Sequence, residues 1–116
     1  MSCAERLQSC LTTPEIGLPV FPKKYTGELL RYIVWNYTTI PDLHAGNVAN
    51  AARYLVQVHY FLPDKENPNP MLEKICKALV GARFTSPEIV DAAEKNGQHY
   101  VIECEGTDRG YVYGDC

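Results

Sequence analysis

Cysteine and histidine are the side chains through which this chain could carry out nucleophilic catalysis or bind a metal. The 116 residues contain five cysteines and three histidines. A nucleophilic cysteine needs an imidazole within hydrogen-bonding distance and a further group that orients this imidazole. Cys104 would need His59 or His99 as its partner, but positions 99 and 104 of one strand differ by five and point to opposite faces. The spacing therefore predicts no catalytic residues, and Cys76 and Cys104 are expected to be small, buried, apolar side chains.

The histidines and cysteines are also too scattered for a metal site. Zinc takes three or four ligands at compact spacing, whereas His44, His59 and His99 fall one to each predicted element. The number of cysteines is odd, their spacings are wide and no C-x-x-C occurs, which is typical of reduced thiols in an intracellular protein. We therefore expect no metal and no cofactor, and His59 is expected to be a partly exposed surface imidazole.

The segment between Pro63 and Pro70 is the remaining candidate for chemistry, because it carries Asp64 and Glu66. Two carboxylates can share acid–base work, but the sequence implies no partner residue for them. Prolines and asparagines suit turns and caps, so the segment is predicted to be a solvated connector between a strand and a helix. No phosphate loop of the G-x-x-x-x-G-K type is present, and a small enzyme or nucleotide-binding regulator is kept only as a third class of function.

Composition limits the class of protein further. The length suits one domain, residues 1–116, and the hydrophobic and charged fractions of 46% and 22% are near the globular average. The net charge is −3 and the longest basic cluster is Lys23-Lys24, which disfavours nucleic-acid binding. No apolar run approaches the ~20 residues of a membrane span, and the charged N-terminal segment is unlike a signal peptide. We expect a soluble, intracellular protein with no membrane partner.

Hydrophobic periodicity and turn residues predict the elements of the first 82 residues. They are a helix at 4–13 ending before Pro14, a proline-punctuated arm at 15–28 with at most a short edge strand, a strand at 29–40, a loop at 41–51, a strand at 53–62 and a helix at 70–82. This last helix is expected to have Asn69 as its N-cap, Pro70 at its first position and Gly81 as its stop. Both faces of strand 29–40 are largely apolar, so we expect a helix to cover one face and a neighbouring subunit the other.

Residues 86–97 allow two interpretations. The stretch from Ser86 to Glu88 could begin a helix that Gly97 caps, whereas Asn96-Gly97 is also a strong hairpin turn before the strand QHYVIECE. The predicted fold is a single α+β domain in which an antiparallel or mixed sheet has helices packed on one face. Strands 30–39 and 53–62 are expected to be adjacent and antiparallel, with helix 70–82 packed on them. The helix residues predicted to make this contact are Leu72, Ile75 and Leu79.

Aromatic residues are the most distinctive part of the composition. Eight tyrosines, three phenylalanines and one tryptophan fall largely on the predicted strands and in the arm. An apolar body with a polar tip suits Tyr and Trp to protein interfaces. A tyrosine-rich core would explain them equally well.

Residues 15–105 combine these segments in a definite order. A GLPVFPKKY arm precedes an aromatic strand ending in NYTT, a polar loop, the alternating strand YLVQVHYF, a proline-rich turn, a helix ending in AL, and a hairpin with His99-Tyr100 on its return strand. This order resembles small proteins from the structural gene cluster of tailed phages and prophages. They are the tail terminator or tail completion proteins, similar to the one that caps the tail of lambda-like siphophages.

The resemblance implies an α+β fold, the hairpin at 86–105, and a structural virion protein that caps the tail tube and joins it to the head or its connector. It implies a ring-forming homo-oligomer, usually a hexamer, whose partners are tail tube and head–tail connector proteins. It also implies no catalysis and no cofactor. DNA would pass through the ring without sequence-specific binding, and the protein would reside in the virion tail or neck after assembly in the host cytoplasm. A head–tail connector or head completion protein of a phage or prophage is the alternative.

A ring subunit needs two different surfaces that match head to tail. The arm at 18–25 suits one of them, because its prolines lower the entropy lost on ordering and its apolar side chains are of the kind that anchor interfaces. The loop at 41–51 is expected to lie over the neighbour or the tube. The predicted interface residues are Val20, Phe21, Tyr25, Trp35, Leu43 and His44. The alternative is that Phe21 and Tyr25 pack into the core of their own subunit.

Overall fold

The computed structural model describes residues 3–41, 52–93 and 97–107. Within these ranges the elements are α1 (Cys3–Leu11), β1 (Val20–Pro22), β2 (Tyr32–Pro41), β3 (Ala52–Leu62), α2 (Asn69–Gly81), β4 (Glu88–Asp91) and β5 (Gln98–Thr107). They form one α+β domain, which confirms the predicted fold class. Neither of these two helices is long and apolar enough to cross a membrane.

A mixed sheet of the five described strands forms the centre of the fold. Its order is β1-β2-β3-β5-β4. β1 runs parallel to β2, and the other neighbours are antiparallel. β2 and β3 pair along their length, from Tyr32 opposite Phe61 to Thr39 opposite Tyr54, so the predicted antiparallel pair is confirmed.

The core lies between one face of the sheet and the two helices. Successive strand residues point to opposite faces, and the residues that point to the helices are apolar. The main members of the core are Leu7, Leu11, Ile33, Trp35, Val56, Val58, Leu72, Ile75, Leu79, Phe84 and Ile102. All three residues predicted to pack α2 against the sheet belong to it, which confirms that packing. Burial of each such aliphatic side chain contributes roughly 1.5–3 kcal/mol.

Residues 86–97 contain the hairpin strand, and the helical interpretation is wrong. β4 pairs antiparallel with β5, with Ile89 opposite Ile102. Ile89 and Val90 are successive β-branched residues, which favour a strand over a helix. Gly97 has a φ of 89°, a region that glycine enters without a steric penalty. The antiparallel pairing of the predicted hairpin is therefore confirmed, whereas Asn96 of its predicted turn lies outside the described residues.

The ends of α2 differ slightly from the prediction. Pro68 occupies the N-cap position and makes no side-chain capping bond, so the prediction of Asn69 as N-cap is wrong. The backbone amide of Asn69 instead donates to Oδ1 of Asn67 at 3.1 Å, so a side chain two residues earlier takes over the capping contact. Pro70 lies in the first turn and Gly81 is the last helical residue, both close to where they were predicted.

Candidate interaction surface

The face of the sheet opposite the helices, which we call the open face, carries a row of contacting rings. This aromatic row consists of Phe21, Tyr25, Tyr32, Phe61, His99 and His59. Ring centroids are 4.3 Å apart between Phe21 and Tyr25, and the rings are nearly parallel. The corresponding distances are 4.6 Å between Tyr32 and Phe61 and 4.2 Å between Phe61 and His99. Stacked pairs contribute about 0.5–1.5 kcal/mol each beyond their burial, so the row joins the arm to β2, β3 and β5.

A tight turn after β1 brings the arm onto the open face. Lys23 adopts a left-handed conformation with a φ of 68°, and its amide donates to the carbonyl of Trp35 at 2.8 Å. A non-glycine residue in this region costs about 1–3 kcal/mol and persists where its surroundings hold it. The turn changes the chain direction so that Tyr25 stacks on Phe21.

The arm is further held by the hydroxyl of Tyr25, which accepts a hydrogen bond from the amide of Leu29 at 3.1 Å. A Cβ atom at position 27 would overlap this hydroxyl, so Gly27 is the residue that lets the chain pass around the ring. Leu29 and Leu30 beyond it are 44% and 72% exposed. The arm therefore folds on its own subunit and still presents apolar surface.

Two histidines that are 40 residues apart meet at the end of the row. Nδ1 of His59 lies 2.8 Å from Nε2 of His99, and Nδ2 of Asn36 lies 3.2 Å from Nε2 of His59. An amide nitrogen only donates, so Nε2 of His59 accepts from Asn36 and Nδ1 carries the proton donated to His99. Burial, and then the neighbouring His99, lower the pKa of His59, while Glu103 acts in the opposite sense. His59 is therefore neutral near pH 7.

This histidine pair refines one sequence prediction. His59 is partly exposed, as predicted, but it is hydrogen-bonded within the aromatic row instead of standing alone at the surface. The pairing depends on the register of β3 and β5, which places Phe61 opposite His99. Without that register, the sequence does not show that the two imidazoles are neighbours.

The arm residues predicted to lie at an interface divide between the core and the open face. Val20 packs against the buried core. Phe21 and Tyr25 are half-buried and stack in the aromatic row. Their rings rest on their own subunit without entering its core, so they remain available for contact with a second protein.

Trp35 lies away from the surface. Only 6% of this residue is exposed, and its Nε1 donates to Oε1 of Gln8 at 2.7 Å. It thereby ties β2 to α1 inside the core and offers little area to a partner. The other two predicted interface residues, Leu43 and His44, lie outside the described residues.

The thiols lie on the other side of the sheet from the histidine pair. Cys104 belongs to the core, as predicted, and burial raises the pKa of its thiol to about 12. Cys76 is only half-buried, and burial raises its pKa as well. Cys10, Cys76 and Cys104 carry free thiols. Among the residues that the structure describes, no group of three or more His, Cys, Asp and Glu side chains is placed to hold a metal ion.

The segment between β3 and α2 is a connector, as predicted, and a single side chain organises it. Nε2 of Gln98 lies 2.9, 3.1 and 2.6 Å from the carbonyl oxygens of Pro63, Asp64 and Glu66, and its two N–H hydrogens are shared among these three acceptors. The carboxylate of Glu66 also forms an ion pair with Arg31. The carboxylate of Glu66, a sequence candidate for acid–base chemistry, is therefore bound to the guanidinium of Arg31, the residue directly before β2.

No protein-family model matches this chain, and no curated protein matches it.

Proposed function

We propose that this protein is a structural virion protein that caps the end of a phage tail tube and joins it to the head or its connector. The aromatic row carries the proposal. It leaves a strip of half-buried rings on a sheet face that no described helix covers, next to the exposed side chain of Leu30. Aromatic anchors of this kind supply much of the energy of protein interfaces.

The chemistry of the open face supports assembly more than catalysis. The imidazole nitrogens of His59 are both occupied by Asn36 and His99, and the buried Cys104 faces the helices. A groove beside the row, lined among others by Lys24, Tyr25 and His59, has a volume of about 270 Å³.

The order of the described elements also agrees with what the resemblance implies. After α1, an arm with a short strand, two long strands, a helix and a hairpin follow one another. This is the order of segments on which the resemblance over residues 15–105 rests. A head–tail connector or head completion protein of a phage or prophage is the alternative that fits the same order.

Deletion of the gene from the phage or prophage that carries it, followed by electron microscopy, tests the proposal. A tube built from head-to-tail contacts keeps an open end and continues to grow unless something closes that end. We therefore expect tubes of irregular, excessive length that lack heads, and restoration of normal virions by the wild-type gene supplied in trans.

Two other outcomes would contradict the terminator. Tails of normal length beside unjoined heads would place the protein on the head side, as a connector or completion protein. Normal virions from the deletion strain would reject both roles.

A further inference from the structure

The groove beside the aromatic row combines positive charge with apolar surface. We call it the lysine groove, and the residues that line it include Lys23, Lys24, Tyr25, Tyr32, Phe61 and His99. Lys23 and Lys24 are exposed, whereas the rings are half-buried. A ligand in this groove therefore meets two ammonium groups beside aromatic rings.

The backbone fixes the position of the two lysines. The amide of Lys23 donates to the carbonyl of Trp35, and the amide of Lys24 donates to the carbonyl of Pro22, both at 2.8 Å. Lys23 has the left-handed conformation that turns the chain at this point. The turn after β1 therefore holds both lysines beside the rings.

The positive charge of the lysine groove is not compensated within the described part of the chain. Neither lysine belongs to an ion pair among the described residues, and none of the described residues that line the groove is acidic. Glu103, the carboxylate that acts on His59, is outside this lining and accepts a hydrogen bond from Nε2 of Gln57 at 3.1 Å. The groove is thus a basic site on a chain whose net charge is −3, and its charge is complementary to a carboxylate.

Phe61 offers the groove its edge instead of its faces. β3 lies between β2 and β5, so Tyr32 stacks on one side of Phe61 at 4.6 Å and His99 stacks on the other at 4.2 Å. The edge of an aromatic ring carries the positive part of its quadrupole. The ring edge and the two ammonium groups therefore favour the same ligand group, a carboxylate.

Apolar surface continues beyond the lysine groove. A neighbouring groove shares Tyr32 and Phe61 with it and is also lined by Leu29 and Leu30, which are both exposed. Asp64 is the acidic residue among the described lining of this second groove. A ligand that fills both grooves needs a carboxylate at one end and apolar groups beyond it, which suits a segment of polypeptide better than a small acid.

We propose that the lysine groove binds a segment of a different protein that carries both carboxylates and apolar side chains. Lys23 and Lys24 contact the carboxylates, and the two grooves receive the apolar side chains. The contact rests on the proposed function, in which the open face joins this chain to other virion proteins, and it names the chemistry of the segment that is bound.

The same features disfavour single-stranded nucleic acid, which also combines negative charge with apolar rings. Bases stack on free ring faces when a sheet binds nucleic acid, but both faces of Phe61 are covered. The net charge of −3 also repels a long polyanion. A short segment responds mainly to the two lysines, because screening limits the effect of more distant charges to about 8 Å at physiological salt.

Titration of the full chain with blocked peptides, followed by nuclear magnetic resonance, tests the proposal. The probes are a pentapeptide in which Glu and Phe alternate and the same peptide with Gln or Lys in place of Glu. We expect the acidic peptide to bind with a Kd of about 1 mM or tighter and to shift the signals of Tyr25, Phe61 and His99. Exposed charge pairs are weak, so the neutral peptide should bind about threefold more weakly or less tightly still, and the basic peptide should bind most weakly.

A pair of charge variants identifies the groups that select the acidic peptide. Lys23→Gln/Lys24→Gln keeps a long side chain at each position and should reduce the affinity for the acidic peptide to that for the neutral one. The control Lys74→Gln/Lys77→Gln makes the same change in net charge at exposed positions of α2, on the other side of the sheet, and should leave both affinities unchanged. Salt at about 1 M, where the Debye length is about 3 Å, should weaken binding of the acidic peptide alone.

Five outcomes would overturn the proposal. The first two are equal affinities of the wild-type chain for all three peptides and a titration without shifts at the lysine groove. Phenylacetate that binds as tightly as the acidic peptide would identify a site for small acids, and a short oligothymidylate that binds more tightly would identify a nucleic-acid site. Groove signals that shift with the concentration of the chain alone, and no longer do so in Lys23→Gln/Lys24→Gln, would place a second copy of the chain in the groove.

The gene deletion decides separately on the proposed function. Overlong tubes in the deletion strain, together with peptides that bind without regard to charge, would refute the lysine groove and leave the terminator standing. Binding of the acidic peptide that depends on Lys23 and Lys24, from a gene whose deletion leaves virions normal, would keep the groove and reject the virion role.

Discussion

Replacement of Phe21 by alanine tests whether the arm serves association or folding. Phe21 is half-buried, and its ring stacks on Tyr25 and meets Tyr32 edge-on at 6.4 Å. Full burial of a large apolar side chain contributes roughly 1.5–3 kcal/mol, and we take half of this for the half-buried Phe21. The stack adds about 0.5–1.5 kcal/mol. The free energy of unfolding is therefore expected to fall by about 1–3 kcal/mol. For a domain of this size that lowers Tm by about 4–12 °C.

Ile75→Ala is the matched control, because Ile75 belongs to α2, is fully buried and lies away from the open face. Its loss should cost about 2–5 kcal/mol of unfolding free energy, which is at least as much as Phe21→Ala. The two substitutions should affect self-association in the opposite order, with the larger effect from Phe21→Ala. Truncation of an interface anchor costs about 2 kcal/mol or more of binding, so Phe21→Ala should weaken self-association about 30-fold or more, whereas Ile75→Ala should not weaken it.

Stability is measured by thermal melts, self-association by sedimentation well below both values of Tm, and tail capping by electron microscopy. All three are measured on the same preparation of each variant. The interface reasoning is refuted if Phe21→Ala lowers Tm but leaves self-association and tail capping at wild-type levels. The packing reasoning is refuted if Ile75→Ala leaves Tm unchanged.

Three further changes test other parts of the structure. The pKa of His59 is lowered in the folded state, so the unfolded chain binds a proton at His59 more readily than the folded protein does. The free energy of unfolding should therefore fall as the pH drops below 6.5, the ordinary pKa of histidine. Urea melts at several pH values should show a weaker dependence on pH in this range for His59→Phe. Gln98→Ala should cost about 1–3 kcal/mol and speed amide exchange between Pro63 and Glu66, and unchanged exchange would show that Gln98 does not hold the connector. Cys104→Ala should lower Tm modestly and still complement the deletion strain, whereas lost complementation at an unchanged Tm would revive a catalytic role for this thiol.

Local patterns were sufficient for the elements that build the core. Leu72, Ile75 and Leu79 repeat at helical spacing, and the alternation around Val56 and Val58 has the period of a strand. A repeat of three to four residues buries one face of a helix, and a repeat of two buries one face of a strand. Helix α2 and strand β3 are therefore predictable from sequence within a residue or two. The class of fold follows from their order along the chain.

The candidate surface depends on pairing between distant segments, which local patterns do not contain. His59 and His99 meet only because β5 enters the sheet beside β3. For the same reason the choice between helix and hairpin at 86–97 was open, since β5 decides it by offering β4 a partner. Trp35 was predicted at an interface because both faces of its strand are apolar, and sequence alone does not reveal which face the helices cover.

β5 lies between β3 and β4 in the sheet, although it is the last described strand along the chain. In the folding chain, β4 therefore has no described partner until residues 98–107 join the sheet. Unpaired strands are the segments of a folding chain most prone to aggregate, and the carboxylates of Glu88 and Asp91 oppose pairing between two such chains. Slow docking of β5 would therefore lower the yield of soluble protein.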